Sequence, residues 1–311
     1  MMRILNFGSL NVDKIYSVDH LVKSGETIKA FRYKECCGGK GLNQSIALAR
    51  AGAMVCHAGS VGNDGGELLT MLEDAEVSTS YIKISDKPSG HAIIQVDSMG
   101  QNNIIIYGGA NNDITTEYMD EVFSLFCRDD ILLLQNEISN VDYAILKAKE
   151  SGMKVVLNPS PINEELVNYH LECVDCFILN EIEGKILAGI ESEHPEEIIK
   201  NLKENFPKAA FVLTLGINGS YYFDQNQTVF QKIYQTDTVD TTGAGDTFCG
   251  YFLSCMAAGN EIREALEISS MASAIAVSQA GAAPSIPERR NVLHKLKCWD
   301  KELGEEHGTK I

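Results

Sequence analysis

Four clusters of residues hold the side chains that could do chemistry. The first is Asp240-Thr-Thr-Gly-Ala-Gly-Asp-Thr-Phe248. Gly243 and Gly245 let the main chain turn tightly, so several N–H groups can point into one concavity. Phe248, Tyr251, Phe252 and Cys255 follow on one helical face, which puts that concavity at a helix N-terminus. The helix dipole favours an anion there, such as a phosphoryl group in transfer. Asp246 lies in the first turn, where a carboxylate either takes the proton of an attacking hydroxyl or simply caps the helix.

The second cluster is Gly38-Gly39-Lys40-Gly41-Leu42-Asn43 at the start of a helical pattern. Its glycines let a ligand approach the backbone, and Lys40 and Asn43 can hydrogen-bond several hydroxyls. The Gly-x-x-x-x-Gly-Lys-Ser/Thr spacing of a phosphate-binding loop occurs nowhere, and no Gly-x-Gly-x-x-Gly follows a strand, which weakens a nicotinamide enzyme. The third is Asn11-Val-Asp13, just past the first apolar run, with Glu137 in the equivalent place after a later one. A carboxylate accepts from two hydroxyls at once, so these residues suit a polyhydroxylated ligand at strand ends; solvated turns would use the same residue types. The fourth is Asn180-Glu181-Ile182-Glu183, which suits either a hydrated Mg²⁺ or the acidic first turn of a helix.

The elements that must position these clusters alternate between strand and helix. Residues 4–10, 54–61, 131–135, 154–158, 177–179 and 210–215 read as strands. Residues 42–53, 66–75 and 141–150 carry apolar residues at helical spacing. Such alternation builds a parallel sheet covered by helices on both faces. Two stretches, about 14–36 and 80–107, break the rhythm with alternating patterns such as Tyr81-Ile82-Lys83-Ile84, and residues 99–103 read as a hairpin turn. They predict a small antiparallel sheet inserted from two discontinuous segments, the usual construction of a lid. Residues 300–311 read as a charged, fraying tail.

Composition narrows the classes. The chain has 311 residues, 44% hydrophobic and 22% charged, and a formal net charge of −17, which indicates an ordinary globular protein and argues against nucleic acid or an anionic membrane as partner. No apolar stretch reaches the ~18 residues that span a bilayer. The first residues lack a signal-peptide pattern, so a cytoplasmic location and nine reduced cysteines are expected. Cys173 and Cys176 form the single Cys-x-x-Cys, without the further ligands a zinc site needs.

Taken together and in this order, the four clusters resemble those of the ribokinase-like carbohydrate kinases, also called the phosphofructokinase-B type. Gly108-Gly-Ala-Asn111, Leu157-Asn-Pro-Ser160, Leu213-Thr-Leu-Gly216 with Gly219, and Gly281-Ala-Ala-Pro-Ser285 extend the match across residues 4–287. The Gly-Gly-Lys-Gly-x-Asn and Asn-x-Asp forms are similar to those of the ribokinase branch. The resemblance implies a three-layer α/β/α core over residues 1–299 with a mainly parallel sheet and a small β-sheet lid. It implies transfer of the γ-phosphoryl group of ATP to a primary sugar hydroxyl, for ribose giving ribose 5-phosphate. Asp246 would be the general base, with the N–H groups of Gly243, Ala244 and Gly245 as the anion hole. Asn11, Asp13, Gly39, Lys40, Asn43 and Glu137 would hold the sugar. Asn180, Thr214, Gly216, Gly219 and Gly245 would line the nucleotide site, and Glu183 would order Mg²⁺ through water. Asp240, Thr242, Ala276, Gln279, Gly281 and Ser285 match a potassium site, and a homodimer through the lid is expected. Leu179, Ser270 and Gln279 depart from the ribokinase pattern, Ser270 at a position beside the adenine. The alternatives are a same-family kinase for another sugar, a nucleoside or a sugar phosphate, for which Lys14, Arg32 or Lys34 would supply a cation, and a non-catalytic sugar sensor.

Overall fold

Near-continuous apolar runs and alternating runs bury different amounts of a strand, and the chain sorts them into two sheets. The computed structural model describes residues 2–308. The strands are β1 (Ile4–Phe7), β2 (Asn11–Ser17), β3 (Arg32–Gly38), β4 (Val55–Val61), β5 (Ser78–Ile84), β6 (Gly90–Val96), β7 (Asn102–Tyr107), β8 (Ile131–Gln135), β9 (Lys154–Asn158), β10 (Cys176–Asn180), β11 (Ala210–Thr214), β12 (Ser220–Phe223) and β13 (Thr228–Gln231). The helices are α1 (Lys40–Arg50), α2 (Gly66–Asp74), α3 (Thr116–Phe123), α4 (Val141–Glu150), α5 (Glu181–Ala188), α6 (Pro195–Asn205), α7 (Ala244–Ala257), α8 (Ile262–Val277) and α9 (Arg289–Gly308). The last of these carries the tail as helix to Gly308; residues 309–311 lie outside the described residues.

The large sheet runs β13-β12-β11-β10-β9-β8-β1-β4-β5. It is parallel from β11 to β5, and β12 and β13 are added antiparallel. Period-two alternation divides its side chains between two cores. Leu5, Phe7, Leu132, Leu134, Leu157, Phe177 and Phe211 face one layer that includes α3, α4 and α6, with Phe177 and Phe223 stacked on either side of Phe211. Ile4, Leu133, Val156, Ile178 and Val212 face the layer of α1, α2, α7 and α8. The result is the expected three-layer α/β/α core.

The second sheet, β3-β2-β6-β7, is built from the two discontinuous segments. It differs from the expectation in two ways. Ser78–Ile84 does not join it but forms the edge strand β5 beside β4, because its half-buried alternation serves a main-sheet edge equally well. Nor is the sheet wholly antiparallel: β2 and β6 pair in parallel over Asn11–Ser17. Asp97 organises the β6–β7 hairpin by accepting from the N–H groups of Met99 and Gln101, both at 2.9 Å.

Strand order reverses at β1, which lies between β8 and β4. The carboxyl ends of β1 and β8 at such a reversal form a crevice. Glycine brings α1 down to its floor, since a Cβ on Gly41 would collide with Ser9.

Candidate active site

Three elements meet in the crevice: the start of α1, the start of α7 and the inner face of the small sheet. Lys40, Asn43 and Gln44 share one face of α1 at i, i+3, i+4 spacing. Asn43 Nδ2 donates to Asp246 Oδ2 (3.0 Å), and Gln44 Nε2 donates to Asp246 Oδ1 (2.9 Å). Asp246 is 8% exposed. Its carboxylate therefore does not cap α7 but is held by two amides from another helix. Asn43 Oδ1 is buried without a partner, an acceptor left for something the protein itself does not supply.

Gly243 precedes α7 in the left-handed region, at φ 76°, where its lack of a Cβ lets the chain pass Ala282. A Cβ on Gly245 would project into open space, the space a ligand would fill. The Ala244 N–H, expected in the anion hole, instead donates to the Thr241 carbonyl (3.2 Å). A pocket of about 130 Å³ is lined by Lys40, Asn158, Asn180, Glu183, Thr214, Gly243, Gly245 and Asp246. A larger one, about 290 Å³, adjoins it through Thr214 and Gly245 and includes Gly216, Gly219, Ser220, Phe248 and Ser270. Ser220 Oγ is buried there without a partner.

The carboxylates of the crevice carry unequal burdens. Asp13, on β2, is backed by Gly38, whose place no side chain could take without striking the Asp13 carboxylate. Burial and the neighbouring Glu137 push the Asp13 carboxyl up to about 6. Burial also raises Glu137, although Lys40, the Ser9 hydroxyl and the Lys40 N–H (3.1 Å) all favour its charge. Burial works against the Lys40 ammonium in turn, but Asp246, Glu137 and Glu183 outweigh it and hold its pKa above the ordinary lysine value. Asn11 Oδ1 accepts from Asn111 Nδ2 (2.8 Å) beside them. Ala92 and Ile106 stand in the same row as Asp13 across the small sheet, giving these polar groups an apolar wall.

Asn180 and Glu183 form a capping box at α5: Glu183 N–H donates to Asn180 Oδ1 (2.9 Å), and Asn180 N–H and Nδ2 donate to the two Glu183 oxygens (2.9 Å each). Glu183 lines the smaller pocket, and each of its oxygens accepts only one of these hydrogen bonds. Among the described residues no three His, Cys, Asp or Glu side chains cluster as a metal cage. A strongly hydrated Mg²⁺ fits this arrangement, since it keeps most of its waters and needs one carboxylate beside the phosphates.

The potassium-matching residues lie on the loop before α7 and at the end of α8 with the loop that follows it, stitched together by Asp240. Its Oδ1 accepts from Thr242 N–H (2.9 Å) and Oγ1 (2.6 Å), and its Oδ2 accepts from Gly281 N–H (2.9 Å). Burial alone would raise this carboxyl, but those hydrogen bonds hold it below the usual carboxylate range. Gln279 N–H returns to the Ala276 carbonyl (3.1 Å) and Ser285 Oγ to that of Ala282 (2.8 Å). One carboxylate among main-chain carbonyls is a hard-oxygen set that suits a monovalent cation.

The structure thus brings Asn11, Asp13, Gly39, Lys40, Asn43, Glu137 and Asp246 to one crevice, with Asn180, Thr214, Gly216 and Gly219 along its extension. Sequence spacing does not single out Gln44, Ser9, Gln135 or Ser220. For Gln44 the signal was available, since it completes the helical triplet with Lys40 and Asn43. All nine cysteines are free, including Cys173 and Cys176. Among the described residues no helix is long and apolar enough to cross a membrane.

A three-layer core, a small sheet over its crevice and a carboxylate at a glycine-flanked helix start define a phosphotransferase of the sugar-kinase class. The comparisons agree. The family model for pfkB family carbohydrate kinases matches residues 1–289. Ribokinase of Haemophilus influenzae is 33% identical over 93% of this chain and 97% of its own length, and a deoxyribokinase of Salmonella typhi is 31% identical over 92% and 96%. The structure of Arabidopsis thaliana ribokinase complexed with ribose and ATP superposes with a TM-score of 0.83 at 32% identity, covering 96% of this chain and 99% of that one. The chain belongs to the pfkB family of carbohydrate kinases, and it is an ATP-dependent sugar kinase.

Proposed function

We propose that the chain phosphorylates ribose at its primary hydroxyl, giving ribose 5-phosphate and ADP. The observation that carries this reading is the Asp13–Glu137 pair beside the amide-held Asp246. Two carboxylates raised by burial, Asp13 also by Glu137 and Glu137 also by Asp246, repel an anionic acceptor but are satisfied by the hydroxyls of a neutral polyol. Lys14, one candidate cation for a sugar phosphate, follows Asp13 along β2 and so lies on the opposite face of the sheet. Asn11, Asp13, Gly39, Lys40, Asn43 and Glu137 hold the sugar, with Asn43 Oδ1 accepting one of its hydroxyls.

Asp246 takes the proton of the primary hydroxyl as its oxygen bonds to the γ-phosphorus and the bond to ADP breaks. The N–H groups of Gly243 and Gly245, with Ala244 between them and the α7 dipole behind, offset charge on the transferring group. Asn180, Thr214, Gly216, Gly219 and Gly245 line the nucleotide's path. Kinases of this family generally use Mg-ATP and some are activated by potassium. Mg²⁺, when bound, neutralises phosphate charge, and Glu183 is the residue placed to hold it through water. Asp240, Thr242, Ala276, Gln279, Gly281 and Ser285 would surround K⁺ behind the anion hole. The small sheet closes over the sugar and excludes water. Its edge strand β7 exposes Ile105, 62% accessible, on the face away from Asp13, and a second copy of the chain covers it.

Deoxyribose is the second reading, favoured by the similarity to the deoxyribokinase. Replacing Asp246 with Asn tests the catalytic assignment: turnover should fall about 10²–10⁴-fold while calorimetric sugar binding stays within a few-fold. Undiminished turnover would remove Asp246 from the role of base.

A further inference from the structure

Behind Asp246 lies a chain of buried polar side chains that the mechanism has not used. It begins at the Gly8 carbonyl. His57, fully buried on β4, places Nε2 3.2 Å from that oxygen. A carbonyl only accepts, so Nε2 carries the hydrogen. Burial pushes the ring down to about 4, so His57 is neutral and its Nδ1 is an acceptor. Ser45 Oγ, 2.8 Å away, must donate to Nδ1, and it accepts from Asn6 Nδ2 (2.8 Å). The other Asn6 amide hydrogen goes to the Gly41 carbonyl (2.8 Å), which fixes that amide independently. Asn6 Oδ1 therefore accepts from Gln135 Nε2 (3.0 Å), and Gln135 Nε2 gives its second hydrogen to Gln44 Oε1 (2.7 Å).

Every orientation from Gly8 onward is thereby determined, and the last is that of Gln44. Its Oε1 also accepts from the Cys249 thiol (3.5 Å), which burial holds in the protonated form. Its two Nε2 hydrogens are left for Asp246 Oδ1 (2.9 Å) and Asn158 Oδ1 (3.2 Å). Asn158 is itself anchored by donation from Nδ2 to the Ile178 carbonyl (2.8 Å). Gln44 thus has all four hydrogen-bonding sites used, and it cannot flip without opposing donor to donor on Gln135 and acceptor to acceptor on Asp246.

We infer that Gln44 is a positioning residue for the reaction: a hydrogen-bond relay from the Gly8 carbonyl presents an amide N–H to one Asp246 oxygen, Asn43 holds the other, and the carboxylate is fixed in the orientation that meets the acceptor hydroxyl. This rests on the reading of Asp246 as the base. The relay belongs to the floor of the crevice, so it fixes the carboxylate before sugar enters. Misplacing a reacting group by about 1 Å can cost on the order of 10²-fold in rate.

The test compares Gln44→Met and Gln44→Glu, each alone and with Asp246→Asn, by steady-state kinetics with Mg-ATP and ribose. Methionine removes the amide at similar volume. Glutamate keeps the acceptor for Gln135 and Cys249 but turns an oxygen toward Asp246 and Asn158, so it carries the test if the methionine variant does not fold. The expected result is a fall in kcat of about tenfold or more in both single variants, with ribose KM within about threefold. In the Asp246→Asn background the same replacements should have no further effect, because they act through the missing carboxylate. A folded variant with kcat within about twofold of the parent, or one that changes KM alone, overturns the inference while leaving Asp246 as base if Asp246→Asn is inactive. An active Asp246→Asn enzyme overturns the base assignment instead.

Discussion

On the proposed reading Asp13 trades stability for sugar binding, and replacing it with Asn should reveal both sides. Its carboxyl is pushed from 3.8 to about 6, first by burial and then by Glu137. Below pH 3.8 it is protonated in the folded and unfolded chain alike and costs nothing. Between 3.8 and 6 the unfolded chain loses its proton first, so it binds fewer protons than the folded chain and stability falls as pH rises. Above pH 6 the cost is complete. At about 1.4 kcal/mol per pH unit, that interval corresponds to about 3 kcal/mol at pH 8 and roughly half of that at pH 5. Asparagine has no charge to desolvate and none to oppose Glu137. Asp13→Asn should therefore stabilise the sugar-free protein by about 2–3 kcal/mol at pH 8, read as a melting rise of roughly 5 °C or more, with a smaller gain at pH 5. Ribose affinity at pH 8 should drop about 10–100-fold, the worth of a hydrogen bond to a charged acceptor. Thermal melts at the two pH values, with calorimetric titration of ribose, read both quantities. A destabilised variant, or a gain independent of pH, would refute the assignment of the strain to this carboxylate.

Three further outcomes follow from named contacts. Glu183→Gln keeps a capping box at α5, because Gln serves at that position, while losing the charge; melting should change by little, while the Mg²⁺ concentration for half-maximal turnover rises several-fold, and unchanged metal dependence would contradict the role. Gly243→Ala puts a Cβ at φ 76° and 3.0 Å from Ala282; chemical denaturation should show a loss of about 1–3 kcal/mol, and activity should fall with it. Replacing Ile105, itself 62% exposed on β7, by Lys (Ile105→Lys) should convert a dimer to a monomer in light scattering; a wild-type chain that is already monomeric at micromolar concentration would contradict the lid interface.

How much of this was legible in the sequence depended on how locally each feature is determined. The strands β8 and β9 and the helix α4 between them read to the residue, because fully buried apolar runs end at polar or turn residues. The glycine clusters and Asp246 were legible for the same reason, since their chemistry lies within a few consecutive residues. Residues 78–84 were not. Their alternation records one buried face, and only pairing with β4, which is set by the tertiary arrangement, says which sheet supplies it. Asn11 and Asp13 do lie just past β1, as the sequence indicates, but they also begin the lid strand β2, which the alternating pattern alone places only from about residue 14. Gln44 reads as an ordinary polar helix residue until α7 brings Asp246 against it from 202 positions away.

On the proposed reading the chain is a ribose kinase working through Asp246 in a crevice built for a neutral sugar. The most direct test is ADP release from Mg-ATP across a panel of ribose, deoxyribose, hexoses, nucleosides and sugar phosphates, with and without potassium. Turnover should be highest on ribose, stimulated by potassium and negligible on sugar phosphates. Preferred turnover of a phosphorylated acceptor, or none on any neutral sugar, would contradict it.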